Sequence, residues 1–178
     1  MADDKLDAQE LVRSKLDGVF AVLQKKDIDE QAKKEEINAI LTPMFDFGLM
    51  AKLTLGRKHW PSLPRGKREK FTERYIELLK KSYLDKLALY TDEKLIFEPP
   101  VQVKKKVHVP TQLVSKDRKT SILYKLYKPG DDWKVYDLEI QGVSIIRSYR
   151  SQFSESLKNG TIDDLLLKME RPEKSAGS

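Results

Sequence analysis

The sequence predicts an α+β fold, a twisted antiparallel sheet of about four to five strands wrapped by helices. Three observations predict it. Apolar residues recur at three- and four-residue steps as far as Tyr90, alternate from Lys94 onward, and return to helical spacing after Gly142. Helices, then an antiparallel meander, then helices again is an α+β order, whereas a parallel α/β fold would interleave the two. The 178 residues suffice for one full domain and are too few for two ordinary ones. Residues 4–171 are therefore expected to form a single domain, with the small, polar 172–178 as a flexible tail.

The first helix covers residues 6–23, where Leu6, Leu11, Val12, Leu16, Val19, Phe20 and Leu23 make one apolar stripe. A second fits 29–41, capped by Asp29, with Ile37, Ile40 and Leu41 inward, until Pro43 interrupts it. Residues 44–55 are densely apolar and close at Gly56; Pro61 and Pro64 mark the next turn. The longest helix runs over about 64–90, with Phe71, Tyr75, Leu78, Leu79, Tyr83, Leu87 and Tyr90 along one side. Pro64 suits its first turn.

Four strands follow, over 95–98, 101–114, 120–128 and 133–140, joined by Pro99-Pro100, by 115–119 and by Pro129-Gly130-Asp131-Asp132. In the second, Val101, Val103, Val107 and Val109 are expected on one face, with Lys104, Lys106 and His108 on the other. Lys105 breaks that alternation, and Pro110 suggests a bulge or an edge. Ile122, Tyr124 and Leu126 make the matching face of the third strand, and Tyr136, Leu138 and Ile140 that of the fourth. Gly142 releases the chain into a helix over 144–157; Gly160 precedes a last helix over 162–169. A strongly twisted sheet with helices on its concave side leaves a cone-shaped interior.

Composition removes several function classes. There is no cysteine, so disulfides, thiolate metal sites and cysteine nucleophiles are out. Lys and Arg outnumber Asp and Glu by 34 to 28, but the two signs alternate along most of the helices instead of forming the basic, aromatic-studded stripe of a nucleic-acid binder. No apolar run approaches the roughly 18 residues a membrane span needs. Met1-Ala2-Asp3-Asp4 is not a signal peptide, so a soluble chain is expected, and a mature chain with an added methionine fits.

Catalysis is poorly supplied. His59 lies in a loop beside Trp60 and His108 on the polar side of a strand, neither in a metal-ligand spacing, and no nucleophile elbow, P-loop or dinucleotide fingerprint is present. Asp137 could do acid–base work in a conical pocket. A carboxylate held by a backbone or arginine partner is the plainer reading. No enzyme, no metal and no cofactor is expected.

The most distinctive stretch reads Trp133-Lys134-Val135-Tyr136-Asp137-Leu138-Glu139-Ile140-Gln141-Gly142-Val143-Ser144, followed by Ser148-Tyr149-Arg150-Ser151-Gln152-Phe153. This pair resembles the MlaC family of periplasmic phospholipid-binding proteins, also called toluene-tolerance proteins, through its W-K-x-x-D-x-x-x-x-G-x-S and Y-R-x-x-F signatures. Earlier segments agree: Phe45-Asp46-Phe47 with Met50-Ala51, Leu55-Gly56 with Trp60, and Phe71 leading to Leu78-Leu79 and Tyr83. The resemblance spans roughly residues 10 to 170 and departs in the Lys104-Lys105-Lys106 run. It implies a cystatin-like or nuclear-transport-factor-like cone holding lipid. It also implies a monomeric periplasmic carrier of a Gram-negative bacterium. Such a carrier moves phospholipid between the outer-membrane lipoprotein complex and the inner-membrane ABC transporter complex of the lipid-asymmetry pathway.

Physical chemistry shapes that expectation. At about 0.8 kcal/mol per methylene, an acyl chain of about 16 carbons represents about 13 kcal/mol of exposure, so it needs an enclosed apolar space, whereas phosphate is costly to bury unpaired and belongs at the mouth. Wall candidates are Leu78, Leu79 and Tyr83 from the long helix, and Phe97, Val107, Val109, Tyr124 and Leu126 from the sheet. Val143, Ile146, Tyr149 and Phe153 join them from the segment that follows. Arg147 and Arg150 are headgroup candidates. Two alternatives stay open: a protein-interaction module with a filled core, and an enzyme built on Asp137.

Overall fold

The computed structural model describes residues 4–88 and 94–170, with side chains described for 4–83 and 94–170. Tyr90, the side chain of Leu87 and the 172–178 tail lie outside the described residues. The chain forms two compact units, Met1–Asp46 with Lys86–Ser144, and Phe47–Asp85 with Ile145–Ser178.

The first unit opens with α1 (Asp4–Leu23) and α2 (Glu30–Leu41), which pack together. Asp29 caps α2 by accepting from Ala32 N at 2.7 Å, satisfying one of the donors a helix start leaves open. Pro43 turns the chain out of α2 through a short 3-10 segment, Thr42–Met44. The buried stripe of α1 is Ala8, Val12, Leu16, Val19 and Val22, while Leu6, expected inward, is exposed. Ala8 and Val22 complete a 4-4-3-3 progression that keeps one side of the helix against its neighbours.

Among the described residues the sheet has six antiparallel strands: β1 (Lys94–Phe97), β2 (Val101–Val103), β3 (Lys106–Val114), β4 (Lys119–Tyr127), β5 (Lys134–Ile140) and β6 (Val143–Ser144). Its order is β1-β3-β4-β5-β6, with β2 also pairing β3, one strand more than the largest number expected. The additional strands come from residues 101–114, which divide into β2 and β3, and from the two-residue β6. Lys104 takes φ +57°, so Lys104 and Lys105 make a two-residue turn with Val103 opposite Lys106. Gln102 ties the turn by donating to the Lys104 and Lys106 carbonyls at 2.8 and 3.2 Å. The reversal corrects the expected facing: Val101 pairs with His108 and Val103 with Lys106, so both valines share the outer, polar face and are exposed.

Pro110 sits inside β3 for a local reason. Its carbonyl accepts from Glu98 N at 3.1 Å beside the end of β1, and the reciprocal bond that a proline cannot give is replaced by Gln9, whose Nε2 donates to Glu98 O at 3.1 Å.

The apolar face carries Val107, Val109 and Leu113 of β3, Ile122, Tyr124 and Leu126 of β4, and Val135 and Leu138 of β5, all buried. Val107 lies opposite Leu126 and Val109 opposite Tyr124, and α1 packs against β3. Tyr136 does not join them. Lys125 pairs with Asp137 but Leu126 with Val135, so Tyr136 is the extra residue of a bulge. Its ring lies on the outer side, edge-on to Tyr127 at 5.8 Å and under the Lys106 ammonium at 4.8 Å.

The second unit is helical: α3 (Phe47–Leu55), α4 (Arg65–Ala88), α5 (Ile145–Lys158) and α6 (Ile162–Met169), with a 3-10 turn at Trp60–Ser62. Thr161 and Asp164 form a reciprocal capping box on α6, which holds the Asp164 carboxyl below its ordinary range through the bonds from Thr161.

Candidate functional site

The motif residues of the two units do separate structural work. In the first unit, Asp46 N donates to Val135 O at 2.9 Å, the Lys134 ammonium donates to Pro43 O at 2.6 Å, and the Tyr127 hydroxyl donates to the Asp46 carboxylate. The Phe45-Asp46 segment is thereby stitched to the edge of β5. That bond and partial burial push the Tyr127 hydroxyl up to about 12, burial being the larger cause.

Asp137 is 5% exposed and lies on the polar side of the sheet, away from Tyr124 and Leu126. Its carboxylate accepts from Ser144 Oγ at 2.6 Å and from Leu138 N at 2.8 Å, with the Lys125 ammonium at 3.6 Å. Lys125 reaches Glu139 more closely, at 2.6 Å. The spacing from Asp137 to Ser144 thus has a mechanical reason: Gln141 and Gly142, at φ +51° and +83°, reverse the chain so that β6 lies beside β5 and Ser144 meets Asp137. An added Cβ at Gly142 would meet nothing within 4 Å, so this glycine is there for its angle and not for close approach. Gln141 anchors the turn to β4, its side chain accepting from Ser121 N at 3.0 Å and donating to Lys119 O at 3.0 Å.

His108 shares this outer face. Burial and then the Lys125 charge hold its imidazole below the ordinary value. Among the described residues no group of three or more His, Cys, Asp or Glu is placed to hold a metal ion, and no helix is long and apolar enough to cross a membrane.

The sequence candidates on the sheet fall as follows. Val107, Val109, Tyr124 and Leu126 form a fully buried apolar block. Phe97 is half-buried beneath the Arg13 guanidinium, 4.2 Å from its ring centre. Val143 departs from the inward placement expected of it: it is 58% exposed, because the tight turn at Gln141 and Gly142 puts it on a two-residue outermost strand.

In the second unit the long-helix and α5 candidates meet in an aromatic cluster. Phe153 stands edge-on to Phe71 at 5.6 Å and stacks with Tyr149 at 5.5 Å; Tyr149 is edge-on to Tyr75 at 5.8 Å. The two tyrosine hydroxyls find partners, Tyr75 with Thr54 Oγ1 at 2.5 Å in the buried core and Tyr149 with Ser82 Oγ at 3.1 Å. Leu79, Tyr83, Ile146 and Phe153 are buried, whereas Leu78 and Tyr149 are half-buried. Arg147 is exposed. Arg150 spends its guanidinium on α3, donating from Nε and Nη2 to Leu53 O at 3.0 and 2.6 Å, where the helix leaves carbonyls open. Gly56, at φ +89°, ends that helix with its N–H on Lys52 O at 3.0 Å.

Sequence reasoning missed the Thr54–Tyr75 bond and the Gln141 anchor. Periodicity reports which way a side chain faces and carries nothing about which hydroxyl or amide it meets.

Comparison with known proteins adds three findings. A family model described as MlaC protein matches residues 13–171. No curated protein matches the chain. Among solved structures, the phospholipid-binding protein of Ralstonia solanacearum, solved in complex with a phospholipid, is similar at a TM-score of 0.83 and 20% identity, over 97% of this chain and 99% of that one.

Proposed function

The chain belongs to the MlaC family, and from that premise we propose that it is a non-catalytic phospholipid carrier of the periplasm. The observation that carries this reading is the extent of the family match, residues 13–171 of 178. A protein of the same fold holds a phospholipid in its crystal, which supports the same cargo here. On this reading the acyl chains are buried in an apolar cavity and the headgroup stays near solvent, where a phosphate keeps its hydration. No cofactor takes part; the lipid is cargo. The carrier works as a monomer, collecting or delivering lipid at the outer-membrane lipoprotein complex and the inner-membrane ABC transporter complex of the lipid-asymmetry pathway.

Candidates for acyl-chain contact are Val107, Val109, Tyr124 and Leu126 in the first unit, and Leu79, Tyr83, Ile146 and Phe153 in the second, all buried and nearly all apolar. Arg147 and Arg150 are the headgroup candidates, Arg150 also capping α3. The outer-face position of Asp137, with Ser144 and Leu138 on its oxygens, weighs against the enzyme alternative.

Organic extraction of protein purified from a bacterial host, followed by mass spectrometry, tests the reading. Stoichiometric phospholipid in the extract, and its uptake from vesicles by the stripped protein, is the expected result. A protein that yields no lipid and takes none up is not a carrier.

A further inference from the structure

From Phe47 to Arg68 the chain holds six Lys or Arg and no Asp or Glu. The fold gathers part of this run around a concavity of about 570 Å³ in the second unit, with Leu53, Trp60 and Pro61 as apolar lining and Lys52, Arg57 and Arg150 as cations. The walls are fixed before anything binds. Gly56 ends α3 and its carbonyl accepts from Trp60 N at 3.0 Å, which folds the connector back. Arg68 stands 5.4 Å from the Trp60 ring centre and donates to the Trp60 and Pro61 carbonyls, each at 3.2 Å. Neighbouring cations are matched, Arg65 by Glu69 at 3.3 Å and Lys67 by Asp163 at 2.5 Å. Among the described residues no carboxylate pairs with Lys52 or Arg57, and Arg150 is bonded to a neutral carbonyl.

We infer that this groove is a docking site for an acidic segment of a partner protein, one large apolar side chain entering between Leu53 and Trp60 while flanking carboxylates meet Lys52 and Arg57. Charge complementarity selects an anionic partner and steers its approach. Concavity selects a protein segment over a bilayer: a notch of this size receives a side chain or two, whereas a membrane presents a broad face. A tryptophan in a preformed apolar notch ringed by arginines has the composition of an interface hot spot. The inference rests on the carrier reading only for the need of a docking partner. Lipid extraction and peptide binding can fail independently.

The probe is an array of short peptides, each with a single Leu, Phe or Trp flanked by Asp and Glu, beside versions with Ala for the anchor or Lys for the acids. Hits are measured by fluorescence anisotropy against the full chain. Acidic, anchored peptides should bind, more weakly as salt rises. Replacing the anchor, reversing the charges, or using the Lys52→Glu/Arg57→Glu protein should each weaken binding by about tenfold or more, the loss of roughly one desolvated contact. Extracted lipid should be unchanged in that variant, since both residues are exposed. Absence of anchor-dependent binding overturns the proposal, as does equal binding by the variant. Sedimentation with phosphatidylglycerol vesicles that the variant loses, with no peptide bound, would overturn it in favour of a membrane surface.

Discussion

Gly142→Ala isolates what the β5–β6 turn demands of its glycine. The residue sits at φ +83°, and an added Cβ would have no neighbour within 4 Å, so the substitution introduces torsional strain without a clash. An L-residue in the left-handed region costs about 1–2 kcal/mol, and the stiffer unfolded chain returns about 0.4–1 kcal/mol, leaving a net loss of about 1 kcal/mol. With a urea slope of about 2 kcal/mol/M, the unfolding midpoint should fall by about 0.5 M. Gly142→Asn should recover most of it, because Asn visits this region readily. Circular dichroism during urea titration measures all three proteins. An unchanged midpoint, a loss above about 3 kcal/mol, or an Asn variant no better than Ala would refute the conformational reading of this motif glycine.

The buried hydroxyl pair, the outer-face histidine and the apolar face each give a further expected outcome. Thr54→Val should cost about 1 kcal/mol by removing its hydrogen bond to the Tyr75 hydroxyl, and Thr54→Val/Tyr75→Phe should cost less than the two single losses together, as a double-mutant cycle would report. His108 titrates below its ordinary 6.5 in the folded protein, so the unfolded chain takes up the proton first and stability declines as pH falls through the interval below 6.5; His108→Gln should flatten that limb in pH-dependent thermal melts. Val109→Trp adds bulk at a fully buried point of the apolar face, at a cost of about 1–3 kcal/mol, and should deplete extracted phospholipid while the far-ultraviolet spectrum is kept. Normal loading would remove Val109 from the lipid wall.

Much of the fold was legible because its signals are periodic. The Asp29 cap, the Pro43 interruption and the return to helix after Gly142 follow from residue chemistry, and each stands where expected. The β2–β3 hairpin was silent because its turn is made by Lys104 and Lys105, with no Gly, Asn or Asp to announce it. Val101, Val103, Val107 and Val109 share one parity along the chain, but a two-residue turn places the first pair opposite Lys106 and His108, so equal parity means opposite faces. Tyr136 misled for a related reason: a single-residue bulge shifts the alternation without leaving a mark in composition. At the candidate site, sequence periodicity identified the buried block of Val107, Val109, Tyr124 and Leu126, and the motif around Trp133 pointed to the family. The roles of Asp137 and Arg150 became visible only with their partners, Ser144 and the Leu53 carbonyl, brought together by backbone reversal and helix ends that no local spacing encodes.

Native mass spectrometry of the intact protein tests the carrier claim most directly. A population heavier than the polypeptide by the mass of bound phospholipid, releasing a phospholipid on collisional activation and refilling from vesicles after stripping, is the predicted result. A spectrum of bare polypeptide under those conditions, unchanged by exposure to vesicles, would contradict it.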